Sequence, residues 1–73
     1  MELLMEIKEN QNTRDWETKK VAKPTLRNVR SFQRQAKKLI EKGTYKVHIV
    51  IYTDDDPLFQ EFYMNNGAID KMF

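Results

Sequence analysis

Toward nucleophilic chemistry the chain offers one serine, Ser31, one histidine, His48, and no cysteine. A nucleophilic serine needs a base to take its proton and a strained turn that presents its hydroxyl. Ser31 stands in a helical run with no such motif around it, so His48 reads as a packed or half-exposed strand histidine. Asp54, Asp55 and Asp56 could offer oxygens to a hard cation. A calcium loop, however, spaces its ligands alternately and turns at a glycine, and neither feature is present. The three aspartates read better as a helix start, with Asp56 as cap and Pro57 at the first helical position. No catalytic residue, metal ligand or cofactor is expected, and the chain reads as a protein that is not an enzyme.

The chemistry the sequence does repeat is positive charge. Six of the seven charged residues from Arg27 to Lys42 are basic, namely Arg27, Arg30, Arg34, Lys37, Lys38 and Lys42. At about 100° per residue these gather on one side of a helix, and Leu26, Val29, Phe32, Ala36, Leu39 and Ile40 gather on the other. Like charges on one face mildly destabilise an isolated helix, so few internal salt bridges and many cations point to a negative partner. Arginine can bond phosphate or carboxylate bidentately, and a polyanion releases counterions on binding. Asn28, Gln33 and Gln35 could read base edges, and Trp16, Tyr45 and Tyr52 could stack on bases. No helix-turn-helix, aromatic strand motif or zinc ligand set accompanies them.

Net charge is +2, but the charge is segregated. Residues 1–18 sum to −3, residues 19–46 to +9 with Glu41 the one acid, and residues 47–73 to −4. The molecule is dipolar, so its long-range field is weak and attraction to a partner must be local.

The elements that hold these residues follow from periodicity. Leu3, Met5 and Ile7 alternate with Glu2, Leu4, Glu6 and Lys8 as in a half-buried strand. After the turn-forming Asn10-Gln11-Asn12, residues 13–21 read as the returning edge strand of a hairpin, with Arg14, Trp16, Thr18 and Lys20 on one side. Helix formation is expected from within a residue of Pro24, with Lys23 or Thr25 as cap, until Gly43 stops it. Residues 45–53 form the most strand-like run, partly apolar on both faces, which suits either pairing on both sides or an outer face covered by the C-terminal segment. Leu58 with Phe62, and Phe59 with Tyr63, then form helical i,i+4 pairs, and Asn65-Asn66-Gly67 closes a short second helix.

The expected fold is a single α+β domain over residues 1–73, ordered β-β-α-β-α. Its three-stranded, mainly antiparallel sheet packs against one long amphipathic helix, with a short C-terminal helix. If the long connection returns beside the first strand, the strand order is 2-1-3.

At 73 residues the core is thin, and stability must come from packing, with or without a partner. No charged leader pattern and no membrane-spanning apolar run is present, so a soluble, cytoplasmic protein without a membrane partner is expected. In size and style the chain is similar to small accessory proteins of bacteriophages and other mobile elements, a likeness that rests on no specific motif. Two functions are expected. One is a non-enzymatic binding module that docks the basic helix face on an acidic protein or on nucleic acid. The other is an interaction or inhibitor module working through an apolar C-terminal segment, Phe59, Phe62, Tyr63, Met72 and Phe73, which could also serve a homodimer.

Overall fold

A computed structural model describes residues 1–53, 56–64 and 69–72, with Asp56 and residues 69–72 described by their backbone alone. The chain forms β1 (Glu2–Lys8), β2 (Glu17–Ala22), α1 (Leu26–Glu41), β3 (Lys46–Thr53), β4 (Asp56–Met64) and a short β5 (Ile69–Met72). Strands β2, β1, β3 and β4 lie side by side in that order and every pair is antiparallel, with β5 extending the sheet beyond β4. Helix α1 carries the chain from the edge strand β2 across β1 to β3.

The expected three-stranded sheet with a C-terminal helix is therefore wrong: residues 57–64 are strand, and the order is β-β-α-β-β with β5 after it. The physical reason lies in β3. It is buried on both faces from Val47 to Ile51, and its second edge has unpaired backbone groups that only another strand satisfies. A free-standing helix of about seven residues would be marginal in water. The same apolar residues also fit a period of two, with Phe59, Glu61 and Tyr63 opposite Ile51, Ile49 and Val47. Asp56 belongs to β4 and caps no helix. Asp54, Asp55 and residues 65–68, including the expected stop Asn65-Asn66-Gly67, lie outside the described residues.

Helix α1 keeps the expected course. Thr25 is its cap, accepting from the Asn28 amide at 3.1 Å, and Pro24 lies outside the helix. At the other end Gly43 has φ +110°, its amide bonds Ile40 O at 3.1 Å, and the Thr44 amide bonds Leu39 O at 3.0 Å. These two bonds close the last carbonyls in a Schellman motif, which needs the left-handed residue that glycine supplies.

The core lies between α1 and one face of the sheet. Leu3, Met5, Ile7, Val47, Ile49, Ile51 and Tyr63 from the strands meet Phe32 and Ala36 of the helix, with Val29, Leu39, Ile40 and Phe59 at the margin. Leu26, expected on the apolar side, is the first residue of α1 and is 65% exposed.

Two irregularities set which side chains face the helix. In the β1–β2 ladder Met5 pairs with Lys20 but Glu6 with Thr18, so Lys19 is an extra residue. This bulge turns Lys20 onto the helix side while Thr18 stays on the outer side, separating two residues whose simple alternation puts them together. In the β3–β4 ladder Ile51 pairs with Phe59 and Tyr52 with Pro57, leaving Leu58 extra and 56% exposed.

Candidate functional site

Arg27, Arg30, Arg34, Lys37, Lys38 and Lys42 are all exposed along the outward side of α1. None of them makes an ion pair with a described residue. The tertiary fold adds cations that lie far away in sequence. Lys19 and Lys20 of β2 come up beside the C-terminal half of α1, so that Lys19, Lys20, Lys38, Lys42 and Gln35 rim a groove of about 200 Å³. Met5 and Leu39 also line it. Met5 is buried and stands opposite Lys20 in the ladder, so the floor is apolar. Among the described residues no carboxylate lines the groove.

The amides that could read bases are engaged within the molecule. Asn28 Nδ2 donates to Lys23 O at 2.9 Å, Gln33 Nε2 to Glu61 Oε1 at 2.7 Å, and Gln35 Nε2 to Ser31 Oγ at 3.0 Å. Gln33, at the margin of the helix's apolar side, points inward to Glu61. That carboxylate is 1% exposed on the helix side of β4, and its other oxygen accepts from the Tyr63 hydroxyl at 2.6 Å. Burial, and then the neighbouring Glu61 carboxylate, raise Tyr63 well above its ordinary value of 10.0, so the phenol stays a donor. Counting charges in the sequence did not single out Glu61. Its signal was the alternation Phe59-Glu61-Tyr63, which puts a carboxylate between two core aromatics.

The outer face of the sheet holds a second cluster. His48 is 5% exposed, with Nδ1 3.0 Å from Glu6 Oε1 and Nε2 2.8 Å from Gln60 Oε1. The doubly protonated ring donates to both oxygens; the neutral ring needs the Gln60 amide reversed to satisfy its second nitrogen. Phe62 stacks on the imidazole at 4.3 Å with planes 3° apart, and Trp16 leans over it at 5.3 Å. Lys8 Nζ sits 4.9 Å from the Trp16 ring centre. Trp16 and the half-buried Tyr52 thus lie on the face away from α1, and neither joins the basic side. Ser31 lies on α1, across the sheet from His48, and the two form no catalytic pair. No group of three or more potential metal ligands occurs among the described residues.

The residues expected to form an apolar C-terminal interface are divided. Phe59 and Tyr63 pack with the core on the helix side, whereas Phe62 stacks on His48 on the outer side. The Met72 side chain and Phe73 lie outside the described residues. Among the described residues no helix is long and apolar enough to cross a membrane.

No family model, no curated protein and no solved structure matches the chain.

Proposed function

We propose that the protein is a non-enzymatic binding module that docks the basic side formed by α1 and β2 on an acidic protein surface. One observation carries this reading: six exposed cations run along α1 and its C-cap, two of them, Lys38 and Lys42, share a groove with Lys19 and Lys20 of β2, and none of the six makes an ion pair with a described residue. Such a side repels itself, and a partner carboxylate beside each cation relieves that repulsion. An enzymatic role has no support in the side chains, since His48 is held between Glu6 and Gln60 and Ser31 accepts from Gln35.

Nucleic acid is the second reading, favoured by cations spread along four turns of α1. With Asn28, Gln33 and Gln35 engaged internally, α1 would contact the phosphate backbone and leave base edges unread.

Fluorescence anisotropy with labelled poly-glutamate and with a 20-base-pair duplex, each at several salt concentrations, tests the assignment. Tight, salt-sensitive binding of poly-glutamate that Arg27→Glu/Arg30→Glu/Arg34→Glu weakens is the expected result. Binding of the duplex alone, with log affinity falling against log salt at a slope of about −4 to −5 for roughly five neutralised phosphates, would move the assignment to nucleic acid. A flat salt response toward both would refute docking through this side.

A further inference from the structure

We propose that the groove between β2 and α1 is a subsite for an acidic peptide segment, which seats one apolar side chain over Met5 and Leu39 and sets flanking carboxylates against Lys19, Lys20, Lys38 and Lys42. The inference rests on the reading of the basic side as a protein-docking surface and adds to it a place and a recognition rule. Charge alone would favour any polyanion; the groove asks for more. Its four cations surround an apolar floor, and none of its lining residues is acidic. At about 200 Å³ it is of the size that holds one apolar side chain, an apolar cavity of about 150 Å³ being enough for a benzene ring.

Other occupants fit less well. A nucleic-acid base calls for an aromatic platform, and the lining residues include no aromatic ring. The one amide at the rim, Gln35, already donates to Ser31. A second copy paired through β2 with its central residues in register would bring Lys19 against Lys20, which is unfavourable across a ladder. Strand β2 is nonetheless the terminal strand of the sheet, so it has backbone donors and acceptors directed outward that an extended acidic segment can use. Lysines on such an edge turn away neutral and basic strands and admit an acidic one.

The test uses two blocked peptides, acetyl-Glu-Asp-Glu-Phe-Glu-Asp-Glu-amide and the same sequence with Ala in place of Phe, titrated into the 73-residue chain by isothermal calorimetry. The Phe peptide is expected to bind at least about tenfold more tightly and to shift the Met5 and Leu39 methyl resonances. Gln35→Trp, which fills the groove from its rim, removes the difference between the peptides. Should that variant fail to fold, Lys38→Glu is expected to weaken both peptides while leaving their ratio intact. Equal binding of the two peptides would overturn the subsite while leaving the charge-based docking surface standing. Failure of both peptides, with poly-glutamate also unbound, would remove the docking reading itself. A single-stranded oligonucleotide displacing the Phe peptide and shifting the same methyls would overturn the peptide assignment in favour of nucleic acid. Concentration-dependent dimerisation that moves these methyls without peptide would overturn it in favour of a second copy.

Discussion

Replacing Glu61 by alanine tests the assignment of residues 56–64 to a strand more directly than any change on the surface. The carboxylate is 1% exposed and accepts from Gln33 at 2.7 Å and from Tyr63 at 2.6 Å. Removing it strands the Tyr63 hydroxyl, on a residue only 4% exposed, at a cost of about 1–3 kcal/mol. Gln33 is half-buried and regains water in part, so its loss is about 0.5–1 kcal/mol. The one lost methylene contributes about 0.8 kcal/mol. The sum is about 2–5 kcal/mol, against a total stability of about 4–11 kcal/mol for a domain of 73 residues at ~0.05–0.15 kcal/mol per residue. Urea unfolding followed by Trp16 fluorescence and far-UV circular dichroism should therefore find the midpoint of Glu61→Ala moved far toward lower urea, by the equivalent of about 2–5 kcal/mol. The double variant Glu61→Leu/Tyr63→Phe, which removes donor and acceptor together, should recover at least about 1 kcal/mol relative to the sum of its single variants. A loss below about 1 kcal/mol for Glu61→Ala, with additive single variants, would mean that Glu61 is solvent-facing. The alternation Phe59-Glu61-Tyr63 would then be misassigned.

Further expectations concern pH and the helix end. Because the folded-state pKa of Tyr63 lies above its unfolded value of 10.0, its contribution is fully present below pH 10 and is lost as pH rises beyond it. Stability measured from pH 8 to 11 should fall more steeply for the native chain than for Tyr63→Phe, and parallel curves would contradict the assignment. At Gly43 the φ of +110° leaves no atom within 4 Å of an added Cβ, so Gly43→Ala should cost about 1–2 kcal/mol through backbone strain alone. A calorimetric shift in Tm reads that loss, and an unchanged Tm would mean that the helix does not end in this left-handed turn.

Helix α1 was legible in the residues themselves, because a period of 3.6 sustained over four turns, a capping threonine and a stopping glycine are local signals. Strands β1 and β3 were legible for the same kind of reason. Strand β4 was not: Phe59, Phe62 and Tyr63 fit both helical and strand spacing in a run this short. What decided the matter was the unpaired second edge of β3, which no local window contains. The basic side was legible only in its helical half. Lys19 and Lys20 join Lys38 and Lys42 because β2 lies at the sheet edge and a bulge at Lys19 turns Lys20 toward α1, and register of that kind arises from pairing with β1. The engagement of Gln33 with Glu61, and of His48 with Glu6 and Gln60, has the same origin. Local periodicity thus determined which residues could be cations on a helix and which could be core, since both follow from neighbours a few residues away. Tertiary structure alone decided which cations share a groove and which polar groups are buried, because those contacts join strands and helix across tens of residues.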